Sequence, residues 1–157
     1  MHSDRNIQPD PLGASLLRDK RRIREIIQFR AVIEPEVAAM AAKSADERDL
    51  RILKRRIQDQ EGQLSDVQAY FKEALRFHMS LARASKNEVF IEVLAFVYEV
   101  VGEGRSFTLL SETQVTTSFE HHVKIVDAIE KKDDERARRL MKEHLAEIGH
   151  QIESEAH

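Results

Sequence analysis

The chain has 157 residues, 41% of them hydrophobic and 34% charged, with only five glycines and three prolines, a balance that supports one globular domain with a real core and favours long helices over turn-rich sheets. Its 25 Lys and Arg against 28 Asp and Glu leave a net charge of −3, with no concentrated basic face, which argues against nucleic-acid contact by this segment itself. The absence of cysteine excludes disulfides, thiolate-held zinc and thiol catalysis. Because no apolar run reaches the ~18 residues of a membrane span and the N-terminus lacks a signal-peptide core, a cytoplasmic protein is expected.

Residues 1–14 are polar around Pro9 and Pro11 and read as a linker or tail, and 15–157 as a helical domain. From Leu16, Ile23, Ile26, Ile27, Val32 and Ile33 recur at helical spacing, and Val37, Ala38, Met40, Ala41 and Ala42 extend the pattern past Pro35, predicting one long helix kinked or broken at that proline. Ser44 with Glu47 has the spacing of a capping box, opening a second helix that runs to Gln63. Ser65 and Asp66 suit the cap of a third, whose stripe is Phe71, Ala74, His78, Leu81 and Ser85, with Asn87 as its terminator.

Val89 to Val101 is dense in Ile, Leu, Val and Phe, predicting a central helix buried on most sides, interrupted at Gly102 and Gly104. After Ser111, Phe119, His122, Val126 and Ile129 fall on one face of the next helix, which ends at the charged turn from Lys131 to Asp134. Asp133 and Asp134 suit the start of the last helix, where the backbone dipole favours negative charge. That helix aligns Ala137, Leu140, Met141, His144, Leu145 and Ile148.

Three histidines, His78, His122 and His144, thus lie on the apolar stripes of three different helices. One such histidine is more often a hydrogen-bonded core residue than a ligand. Three on helices that pack side by side point to a shared metal site, because imidazole is the commonest metal ligand at neutral pH and a bundle delivers ligands from facing helices. His2, His121, His150 and His157 read as solvated. Arg30, with Glu34 one turn later, is either a surface pair or an inward guanidinium that grips a ligand carboxylate, and Arg105 has the same two readings. The basic blocks at Lys54–Arg56 and Arg136–Arg139 read as solvated helix faces. There is no phosphate loop, no Gly-x-Ser-x-Gly elbow and no His-Glu-x-x-His, so an enzyme is not expected.

Three segments, in order, carry a resemblance. They are Phe29-Arg30-Ala31-Val32-Ile33-Glu34 with Ala38-Ala39 and Ala41-Ala42; Phe77-His78 with Ala84-Ser85 and Asn87; and Glu120-His121-His122 through Ala128-Ile129 to His144-Leu145. Together they resemble the effector-binding C-terminal (FCD) domain of FadR-type regulators in the GntR family of bacterial transcription factors, over about Leu16 to Ile152.

The resemblance implies an all-α antiparallel bundle of six or seven helices around a ligand and metal cavity, with His78, His122 and His144 as ligands of a divalent metal, zinc or nickel. It further implies a small organic acid as effector, a homodimer, and operator DNA bound only through a winged helix-turn-helix domain that this chain lacks; on the inward reading of the two arginines, Arg30 and Arg105 complete the grip on the effector's carboxylate. One departure stands out: metal-binding members usually carry Asp where this chain has Ala74, leaving three histidines without an anionic protein ligand. Two other readings are a metal-free sensor of an acyl thioester or similar apolar ligand, which Ala74 would suit, and more remotely a small helical metallohydrolase.

Overall fold

The computed structural model describes residues 20–103 and 112–155. Within them the chain forms six α-helices and no strand: α1 (Lys20–Ser44), α2 (Glu47–Glu61), α3 (Val67–Ala84), α4 (Glu88–Glu103), α5 (Glu112–Glu130) and α6 (Asp134–Glu155). The residues read as a tail lie outside the described ones, as do Gly104, Arg105, His2 and His157.

The first helix runs through Pro35 without a break. A mid-helix proline removes one backbone hydrogen bond, and here the burial of Val37, Ala38, Ala41 and Ala42 in the main core holds the helix together across it. Small alanine side chains let α1 and α6 approach closely, and this pair makes the most extensive contact in the fold, with Ala137, Leu140 and Met141 on the facing helix.

The capping box at the start of α2 sits two residues later than predicted. Ser44 remains in α1, and Asp46, with φ −93° and ψ 179°, is the cap. Its side chain accepts from Asp49 N–H while Asp49 returns a bond to Asp46 N–H. Asp66 caps α3 by accepting from Ala69 N–H, as its position in the sequence suggests.

Asn87, expected to end α3, instead begins α4: its side-chain oxygen accepts from Phe90 N–H and its carbonyl from Ile91 N–H. The left-handed residue between these helices is Lys86, with φ 58°, held by a 2.7 Å ion pair to Asp49. Between α5 and α6, Lys132 takes φ 55°, and the paired bonds Asp133 N–H to Ala128 O and Lys132 N–H to Ile129 O form a Schellman closure. Asp133 then caps α6 through Arg136 N–H.

Helix α3 packs against α1, α2, α4 and α5, and α5 packs against α1, α2, α3 and α6, so these two rather than α4 lie in the middle of the fold. The apolar α4 is not enclosed: Leu94, Tyr98, Val100 and Val101 face inward, while Val89, Val93 and Phe96 are 68%, 40% and 37% exposed. An unbroken apolar run has no period, so it does not distinguish a helix buried all round from one with an apolar face left at the surface. The main core joins Leu53, Phe77, Leu81, Leu94, Ile125 and Ile129, and each buried side chain of this size stabilises the fold by roughly 1.5–3 kcal/mol.

Candidate functional site

All six helices supply a side chain to one buried polar cluster. Arg30 and Glu34 come from α1, Gln60 from α2, His78 from α3, Tyr98 from α4, His122 from α5 and His144 from α6, and none is more than 6% exposed. The three histidines of the sequence prediction converge: one ring nitrogen from each lies within 4.8 Å of the other two. Nε2 of His122 and Nε2 of His144 are 3.0 Å apart. The rings pack edge to face or offset against one another, with centroids 4.6–5.4 Å apart, and Phe77 covers His122 at 4.3 Å.

What surrounds the triad explains how these rings are held. Glu34 Oε1 accepts from His78 Nδ1 and from the Tyr98 hydroxyl, each at 2.5 Å, while Glu34 Oε2 takes Arg30 Nε. Burial alone would raise the Glu34 pKa, but Arg30 and His78 outweigh it and hold the carboxyl far below the usual range. An ionised carboxylate only accepts, so His78 must carry its proton on Nδ1, which leaves Nε2 as the lone pair. Burial pushes the His78 pKa down against the pull of Glu34. The contact is a hydrogen bond donated by the imidazole Nδ1–H to the buried carboxylate.

His122 is anchored in a parallel way, its Nδ1 lying 2.6 Å from Gln60 Oε1. Burial, reinforced by the neighbouring rings and by Arg30, drives the pKa values of His122 and His144 well below that of a free imidazole. Three neutral imidazoles with their donor atoms gathered and no carboxylate among them suit a borderline cation that tolerates nitrogen ligands, such as zinc or nickel. The donor chemistry fits such an ion. Ala74, one turn before His78, is buried beside Tyr70 and Val115, on the face where a carboxylate would stand.

Arg30 is buried, and its pair with Glu34 belongs to the interior rather than the surface. Its guanidinium carbon lies 5.6 Å from the centre of the Tyr98 ring, giving a cation–π contact. Arg105 lies outside the described residues. His121, read from the sequence as solvated, is half-buried instead, edge-on to His144 at 5.5 Å and 3.7 Å from Glu147, because the α5–α6 contact folds over both adjacent rings. His150 is exposed as expected.

Sequence reasoning did not find the roles of Glu34, Gln60 and Tyr98. Only Glu34 left a trace, as the residue one turn after Arg30.

A family profile described as the FCD domain matches residues 25–147. The chain is 30% identical over 147 residues to the HTH-type transcriptional regulator LutR of Bacillus subtilis, covering 88% of this chain and 65% of that protein. It is 25% identical to the Uxu operon regulator of Haemophilus influenzae, covering 79% of this chain and 48% of the relative. It is likewise 25% identical to the transcriptional repressor NanR of Cronobacter sakazakii, covering 77% of this chain and 47% of the relative. The chain thus spans about half to two-thirds of the length of these curated relatives.

Among solved structures, a Streptococcus agalactiae GntR protein superposes with a TM-score of 0.74 at 24% identity, covering 96% of this chain and 69% of that one. The E. coli protein McbR/YncC superposes with a TM-score of 0.76 at 16% identity, covering 88% of this chain and 68% of that one. These two establish a shared fold. Through the matched profile, which spans most of its length, the chain belongs to the FCD domain family, the effector-sensing domains of GntR-type transcription regulators.

Proposed function

We propose that this domain senses a small carboxylate-containing metabolite at a divalent metal, zinc or nickel, held by His78, His122 and His144. The observation that carries this reading is the gathering of three buried ring nitrogens within 4.8 Å of one another. A bound cation would supply a Lewis-acidic grip for the effector's carboxylate oxygens. Glu34 turns Nε2 of His78 inward by accepting at Nδ1, and the surrounding core excludes water from the rings.

Arg30 supports the other half of the grip. Among the described residues Glu34 engages Arg30 through Nε, with the guanidinium over the Tyr98 ring, and an effector carboxylate would be met by the Nη end of the fork. Arg105 is proposed as a second effector contact. In the intact regulator, acting as a homodimer in the cytoplasm, effector binding shifts the balance between two arrangements of a winged helix-turn-helix domain on operator DNA, provided the effector prefers one arrangement. No helix among the described residues is long and apolar enough to cross a membrane.

The test is elemental analysis of protein purified without chelator, followed by a thermal-shift screen of small carboxylic acids. Near-stoichiometric zinc or nickel in the wild type, lost when all three histidines are replaced by Ala, is the expected result. A metal content unchanged by that replacement overturns the ligand assignment. Ala74 favours a second reading, a metal-free sensor of an apolar acyl ligand, and absence of metal together with binding of an acyl thioester would select it.

A further inference from the structure

We infer that Gln60 is a positioning residue for the histidine centre, holding His122 with its proton on Nδ1 and its Nε2 lone pair turned toward His144. The inference deepens the metal-sensing reading and rests on it. Three observations support it.

Gln60 sits in the last turn of α2, fully buried, 62 residues away in sequence from the ring it touches. Its Oε1 lies 2.6 Å from His122 Nδ1, while its Nε2 is buried with no hydrogen-bond partner. An interior glutamine kept for its contribution to stability would satisfy both ends of the amide, because a buried unpaired donor is costly. Here only the end facing the imidazole is used.

The chemistry of the amide makes this contact different from that of Glu34. A carboxylate only accepts, so it fixes the His78 tautomer in one sense. An amide presents either an acceptor or a donor. With Oε1 toward His122, Nδ1 is the donor and Nε2 is free to coordinate. With the amide reversed, Nδ1 becomes the acceptor, the proton moves to Nε2, and that N–H points at His144 Nε2, 3.0 Å away. In the first arrangement the His122 lone pair faces His144 and takes either a hydrogen bond from that ring or a cation; in the second, His122 itself donates across the gap and has no inward lone pair for a cation. Gln60 therefore holds His122 ready to coordinate less rigidly than Glu34 holds His78.

The experiment compares wild type, Gln60→Met and Gln60→Glu, with far-UV circular dichroism confirming the fold. Long-range 15N–1H spectra of histidine-labelled, metal-free protein read the His122 tautomer, and competition with a chromophoric chelator reads zinc affinity. We expect His122 to carry its proton on Nδ1 in the wild type and to lose that preference in Gln60→Met. Zinc binding should weaken by about 10–100-fold in Gln60→Met and return at least to the wild-type level in Gln60→Glu, whose carboxylate restores the acceptor.

A glutamine with a purely structural role would lower the melting temperature of Gln60→Met while leaving tautomer and affinity unchanged, and that result overturns the inference. If Gln60→Met does not fold, Gln60→Asn, one methylene shorter and still polar, takes its place with the same expected outcomes. A wild type that takes up no zinc defeats the metal reading alone, because the tautomer comparison in metal-free protein still decides the role of Gln60.

Discussion

Glu34 and His78, 44 residues apart in the chain, meet through a 2.5 Å contact between Oε1 and Nδ1 in which both side chains are almost fully buried. The carboxylate neutralises Arg30 on one side and orients an imidazole on the other. It brings the negative charge that Ala74 does not supply to within one residue of the triad without itself being one of the gathered donors. The Glu34 carboxylate thus couples the interior arginine to the histidine centre.

Replacing Glu34 by Ala leaves the Arg30 guanidinium buried without its counter-charge. Breaking a buried pair in this way costs about 3–5 kcal/mol. Urea denaturation of the metal-free protein should show that loss, and zinc affinity should fall by about 10–100-fold as the His78 tautomer is released. A variant with wild-type stability would mean that the pair is solvated in solution.

Stability of the metal-free protein should fall as pH drops from 7 toward 5. Burial lowers the folded-state pKa values of His78, His122 and His144. Below about 6.5 the unfolded chain therefore takes up protons that the native state refuses. Stability is full above that pH and declines below it, by up to about 1.4 kcal/mol per pH unit for each histidine. The depressed Glu34 pKa acts in the same sense at lower pH, its contribution being lost as pH falls into and below the ordinary carboxylate range, where the unfolded carboxylate takes up a proton. Melting temperatures measured across this range check the sign, and a flat profile would contradict it.

Ala74→Asp restores a carboxylate one turn before His78. A hard oxygen ligand favours manganese more than it favours zinc. Competition titrations should therefore show a larger gain for manganese than for zinc, while the metal-free variant loses stability from burying an unpaired carboxyl beside Tyr70 and Val115. Equal gains for both ions would place residue 74 outside the reach of the metal.

Lys132→Gly tests a feature remote from the site. Lys132 is exposed and adopts φ 55°, a conformation that costs a non-glycine residue roughly 1–2 kcal/mol. Glycine removes that strain but gains freedom in the unfolded chain, so the net stabilisation should be about 0.5–1 kcal/mol. Denaturant midpoints should rise with no change in zinc affinity.

Helix positions were legible because amphipathic periodicity is a local property, and the Asp66 and Asp133 caps follow from side chains that bond their own neighbours. The histidine triad was legible for the same reason: each ring lies on an apolar stripe that had to face the interior. Asn87 was misread as a terminator because asparagine serves both after one helix and before the next, and the α3–α4 connection is too short for the sequence to separate the two uses. The i to i+4 spacing of Arg30 and Glu34 is identical on a buried and an exposed face, so burial of that pair was left open.

The sequence by itself determined an all-α chain, the boundaries of most helices and the three inward-facing imidazoles, since all of these depend on residues within a turn or two of one another. Tertiary packing alone decided that Glu34 would face His78, that Gln60 would meet His122 and that α4 would leave an apolar face exposed. The physical reason is sequence separation. These contacts join residues 44 and 62 positions apart, and no local pattern encodes which polar side chain the packed helices bring against which ring.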